Sequence, residues 1–135
     1  MTPEFVAAIP FNNLLGISFH RAHKDGVTLK CKVKKELLNS SNVLHGGVSA
    51  SIADVAVGVA VQNHFRDKKR PISTVDLKIN YFRPVAEGAT LYARARLLRV
   101  GSTLSIGRVD LTDSQKNLIG VATVTYIFLD ARGKP

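Results

Sequence analysis

The chain has one cysteine, Cys31, in 135 residues, so it offers neither an intramolecular disulfide nor a cysteine-built zinc site. Cys31 falls in an alternating apolar pattern and reads as a packed thiol. Tryptophan is absent and aromatic residues make up only 7%. No run of apolar residues is long enough to cross a bilayer. The longest, Val48 to Val61, is broken by Asp54 and is rich in Ala and Gly. The opening Met1-Thr2-Pro3-Glu4-Phe5 lacks the basic start of a secretory leader and runs on into Pro10 and Asn12-Asn13, so a cytoplasmic location is expected. No phosphate-loop or dinucleotide glycine pattern occurs. His20, His23 and His64 lack metal-ligand spacing, so no metal is expected.

Acidic residues are also scarce, 10 against 19 Lys and Arg, which leaves a formal charge of +9. That excess favours anionic partners: nucleic acid, a membrane surface, or a phosphate-bearing small molecule. The basic residues are scattered, and Lys68-Lys69-Arg70 is the one run. With few aromatics and no recognised binding motif, a nucleic-acid partner rests on charge alone and is not expected.

What is present is a globular composition, 45% apolar, of a length suited to one domain spanning residues 1–135 with a substantial core. Residues 3–15 suggest a short helix and a turn. From Gly16 to Lys34 the pattern is a hairpin turning at Asp25-Gly26, with Val27, Leu29, Cys31 and Val33 alternating against Thr28, Lys30, Lys32 and Lys34. Residues 35–45 are loop-like. Residues 46–64 are apolar nearly all round, alanine-rich and free of proline, which predicts a helix buried on most sides. Gly58 weakens such a helix, so close packing is a reason for its presence. Four strand-like runs follow: Ile72–Phe82, Thr90–Val100, Thr103–Asp113 and Leu118–Leu129. Their short connections predict antiparallel neighbours. The simplest burial is an α+β arrangement, one antiparallel β-sheet wrapped around one long central α-helix. Such a sheet leaves an edge strand open to a second copy.

The informative stretch runs from Asn39 to Asp54 and contains His45-Gly46-Gly47, with an Asn six residues before the His and an acid nine after it. Further along come Thr74-Val75-Asp76-Leu77-Lys78-Ile79-Asn80-Tyr81-Phe82-Arg83-Pro84, the Gly101-Ser102-Thr103 turn and Asp110-Leu111-Thr112. This ordered set resembles the hotdog-fold acyl-CoA thioesterases, in particular the phenylacetate-pathway (PaaI-like) branch and its mammalian relatives. The resemblance covers nearly the whole chain. It implies a hydrolase that releases coenzyme A and a free acid from an aromatic or medium- to long-chain acyl-CoA. Coenzyme A is then part of the substrate, and no further cofactor is implied. The family also implies a homo-oligomer, a dimer or a tetramer made of two dimers.

Each residue carries a physical reading beside the resemblance. Gly46 and Gly47 would open the long helix, whose first N–H groups are unpaired and lie at the positive dipole end. The N–H of Gly47 would suit the oxyanion of an attacked thioester; the plainer reading is a tight loop-to-helix turn. Asp54, a carboxyl on an apolar helix, is either an exposed position or a catalytic group, a general base for water or a nucleophile. Asn39 would hold the water or the thioester, or serve only as a turn residue. His45 would orient the loop or cap backbone groups rather than move protons. Thr74 stands where some relatives carry a serine near the site. Asp76 would face away from Val75 and Leu77 and be structural. The resemblance places Arg83, Arg99, Ser102 and Thr103 as contacts for the coenzyme A part of the substrate.

Gly47 and Asp54 are seven residues apart, about 10 Å along a helix, so one carboxylate cannot easily serve a carbonyl docked at its own helix start. Two helices meeting across a twofold axis would solve this, with Asp54 of one chain facing Gly47 of the other. A non-catalytic acyl-CoA binding module on the same fold is the alternative, although it would need no acid at position 54.

Overall fold

The computed structural model describes residues 3–66 and 68–130. Two short helices, α1 (Pro3–Ala7) and α2 (Pro10–Leu15), lead into the hairpin β1 (Ile17–His23) and β2 (Gly26–Lys32). A 3₁₀ turn, Lys35–Leu37, interrupts the loop expected at 35–45. The long helix α3 spans Gly46–Phe65 and is followed by β3 (Ile72–Tyr81), β4 (Thr90–Val100), β5 (Leu104–Thr112) and β6 (Leu118–Phe128). The fold is α+β: six strands form one antiparallel sheet in the order β1-β2-β4-β5-β6-β3, wrapped around α3.

The helix is buried on most of its surface, at Val48, Ser49, Ile52, Ala53, Ala56, Val57, Val59, Ala60 and Val61. Small side chains let the sheet come close. A Cβ on Gly107 of β5 would lie 2.8 Å from a Val57 methyl, so Gly107 is where sheet and helix nearly touch. Inward-facing strand residues such as Leu29, Leu91, Leu111, Val124 and Phe128 complete the core. Among the half-buried residues of α3, Ser51, Asp54, Val55, Gly58 and Gln62 form a stripe.

One expectation is corrected. Short connections suggested that strands successive in the chain are neighbours, yet β3 and β4 are not. β3 pairs with β6 at the far edge, while β4 lies between β2 and β5. A connection of residues 82–89 suffices because the curled sheet brings its edge back past the start of α3. There it is pinned by bonds from Leu44 N–H to Val85 O, Gly88 N–H to Val33 O and Val33 N–H to Ala89 O. The crossing lays Arg83 and Val85 against the helix start.

A second correction concerns β3. It does not alternate evenly, because a bulge between Thr74 and Asp76 makes Val75 an extra residue. Thr74 pairs with Tyr126 and Leu77 with Val124, so Thr74 and Leu77 both face the helix although three residues apart. Asp76 is exposed on the other face, as expected, but Val75 does not share the inward face of Leu77. Among the described residues no helix is long and apolar enough to cross a membrane.

Phe128 is fully buried, so Phe128→Ala should cost about 3–5 kcal/mol in urea unfolding. Cys31 is 1% exposed, and burial pushes its thiol up. It should resist Ellman's reagent in the folded protein and react once denaturant unfolds it.

Candidate active site

The start of α3 is built by a loop that folds back on itself. Asn39 Oδ1 accepts from the N–H groups of Ser41 (2.9 Å) and Val43 (3.3 Å), while Asn39 N–H reaches Val43 O. The carbonyl end of this amide is therefore structural, and its NH₂ makes no protein hydrogen bond among the described residues. His45 is the N-cap, with Nδ1 accepting from Gly47 N–H at 2.8 Å. This differs from the expectation that Gly47 presents a free donor. Gly46 N–H, by contrast, has no protein acceptor among the described residues. Tyr81 donates its hydroxyl to Gly46 O at 2.6 Å, and burial raises that phenol above its ordinary range. Asn39, Gly46, Gly47, Tyr81 and Arg83 line an open cleft of about 550 Å³.

Asp54 lies two turns further along, half-buried and away from that cleft. Its Oδ1 accepts from Thr74 Oγ1 at 2.8 Å and from Tyr126 Oη at 2.7 Å. Oδ2 takes no protein hydrogen bond among the described residues. Two hydroxyls offset much of the cost of placing a carboxylate on an apolar helix. Tyr126 is 8% exposed. Burial, reinforced by Asp54, drives its phenol far above the ordinary value, against a smaller opposing effect of a Thr74 hydrogen bond.

Within one chain the expected residues therefore fall into separate groups. Asn39, Gly46, Gly47, His45 and Arg83 gather at the helix start, and Asp54 with Thr74 forms a second group. Arg99 lines a different cavity, of about 400 Å³, with His23, Asp25, His64 and Arg66 at the far end of α3. Ser102 and Thr103 lie exposed in the neighbouring β4–β5 turn. A 20-residue helix separates the two ends by about 30 Å, so the structure does not bring Arg99, Ser102 and Thr103 to the cleft of their own chain. Tyr81 and Tyr126 were not foreseen. The signal for Tyr126 was its place on the buried face of β6, in phase with Ala122, Val124 and Phe128.

A model of the thioesterase superfamily matches residues 41–119, more than half of the chain. The chain belongs to that superfamily of thioester hydrolases, and its curled sheet and central helix are the hotdog fold. It is 31% identical over 137 aligned positions to the medium/long-chain acyl-CoA thioesterase YigI of Escherichia coli strain K12, covering 91% of this chain and 88% of that protein. It is 32% identical over 104 residues to acyl-coenzyme A thioesterase 13 of Pongo abelii, covering 76% and 73%. The structure of the E. coli PaaI protein from the phenylacetic acid degradation operon has the same fold, with a TM-score of 0.85 over 93% of this chain and 88% of that one at 19% identity.

His45→Ala removes the acceptor for Gly47 N–H and should lower unfolding stability by about 1 kcal/mol in a denaturant titration.

Proposed function

We propose that the chain hydrolyses medium- to long-chain acyl-CoA thioesters at two sites per homodimer. Each site combines the helix start of one protomer with Asp54 of the other. The observation that carries this reading is the split just described: a donor-rich cleft at the start of α3 and a carboxylate held by two hydroxyls two turns away. Asp54 lies beneath β3, which reaches it through Thr74 and is an edge strand paired with β6 among the described residues. Along this edge Val75, near Asp54, and Tyr81 and Phe82, toward the helix start, are 54%, 50% and 55% exposed. A second copy seated on this edge with its helix antiparallel would cover that surface and turn each carboxylate toward the other chain's cleft. The same packing would carry Arg99, Ser102 and Thr103 toward the partner's Arg83 end, where the phosphates of coenzyme A need positive charge.

In the cleft the thioester carbonyl oxygen would take the free N–H in the first turn. Because His45 uses Gly47 N–H, that donor is Gly46 N–H, assisted by the positive end of the helix. Asn39 Nδ2 orients the water. Asp54 removes a proton from the water as its oxygen adds to the carbonyl carbon. The intermediate then collapses, the C–S bond breaks, and the thiolate recovers the proton, leaving coenzyme A and a free acid. Direct attack by Asp54 through a mixed anhydride uses the same placement. The medium/long-chain preference follows the E. coli relative. A module that only binds acyl-CoA has no use for a carboxylate tethered by two hydroxyls.

Thiol release from a panel of acyl-CoA thioesters tests the reading. Asp54→Asn should lower kcat by roughly 10²–10⁴-fold with the fold intact; turnover near wild type removes the mechanism. Equal mixing of inactive Asn39→Ala and Asp54→Ala chains should restore about one quarter of wild-type activity if sites are shared across a twofold axis. No recovery after subunit exchange would show that they are not.

A further inference from the structure

Tyr126 has no part in the hydrolysis as written, yet three features converge on its hydroxyl. It is the cross-strand partner of Thr74, and both side chains meet on the same Asp54 oxygen. Its Oη is also 2.8 Å from the Asp54 backbone oxygen, so the one phenol proton serves acceptors that belong to a single residue and ties the carboxyl to its own helix turn. And it reaches that place only because residue 58 is glycine. A Cβ there would lie 2.8 Å from Oη and 3.1 Å from Cζ. Glycine is a poor choice for the middle of a 20-residue helix on propensity alone.

A carboxyl group turns broadly about χ2, and its two oxygens can exchange places. With Thr74 and Tyr126 both donating to Oδ1, that exchange is blocked and Oδ2 is the oxygen left to act. The Tyr126 ring stays protonated, because burial holds its phenol far above the ordinary range. It is therefore a donor wherever the reaction runs.

We propose that Tyr126 is a positioning residue for the thioesterase reaction, acting through Asp54, and that Gly58 is the opening through which its hydroxyl acts. This rests on the catalytic reading of Asp54. The roles separate cleanly from packing. Tyr126→Phe keeps the ring and removes the donor. Gly58→Ala keeps the tyrosine, improves helix propensity and displaces the hydroxyl.

The test measures kcat and KM for octanoyl-CoA hydrolysis, with urea unfolding, for Asp54→Asn, Tyr126→Phe, Gly58→Ala and the double variant Gly58→Ala/Tyr126→Phe. Tyr126→Phe should lower kcat on the order of ten- to a hundredfold, less than loss of the base itself, with KM unchanged. Gly58→Ala should lower kcat comparably while the protein remains folded, and the double variant should be no slower than Tyr126→Phe alone, since both changes remove one interaction. An inactive Asp54→Asn beside an unimpaired Tyr126→Phe overturns this inference and leaves the catalytic reading standing. So does a double variant whose losses multiply. A fully active Asp54→Asn overturns both.

Discussion

The structure turns on one constraint: a carboxyl group has to be carried by a helix that is otherwise packed on nearly every side. Asp54 shares α3 with Ile52, Ala53, Ala56 and Val57, all fully buried. A carboxylate in such company is costly unless hydrogen-bonded donors replace water. Here the donors are two hydroxyls from adjacent strands, and each needs a local irregularity to arrive. Thr74 faces the helix because of the bulge at Val75, and Tyr126 comes within reach because Gly58 has no side chain.

The other end of the helix solves a different problem. First-turn N–H groups lack intrahelical partners, and satisfying them stabilises the helix start. His45 satisfies one of them, and Tyr81 fastens the Gly46 carbonyl, while the crossing segment 82–89 closes over the loop. Gly46 N–H is left without a protein acceptor among the described residues, in a cleft that Arg83 also lines. Preorganised donors of this kind are effective because they need not rearrange when charge develops on a bound oxygen.

Much of this was legible in the residue pattern. Alternation over Val27 to Val33 marked a strand with one buried face, and the run Thr90–Val100 marked another strand. The proline-free, alanine-rich stretch from residue 46 marked the central helix, and its apolar character on all sides indicated a sheet wrapped around it. The close packing expected at Gly58 is present, and its partner is Tyr126. Other features escaped because their causes lie far apart in the chain. The pairing of β3 with β6 is set by the curl of the sheet rather than by the short loop that follows β3. A bulge has no local spelling at Thr74-Val75-Asp76. The Tyr126–Asp54 bond joins residues 72 positions apart. That His45 would occupy Gly47 N–H depends on a ring orientation no spacing reveals. Arg99, Ser102 and Thr103 were grouped with Arg83 by motif order, whereas the chain places them at the opposite end of α3.

The extra residue in β3 has an evolutionary corollary. Because a strand alternates with period two, loss of Val75 would leave a regular strand in which Thr74 still faces the helix opposite Tyr126 and the pairing from Leu77 onward stays in step. A single-codon deletion there would spare the acid's tether, whereas flattening the bulge with Val75 kept would turn Thr74 outward and remove it.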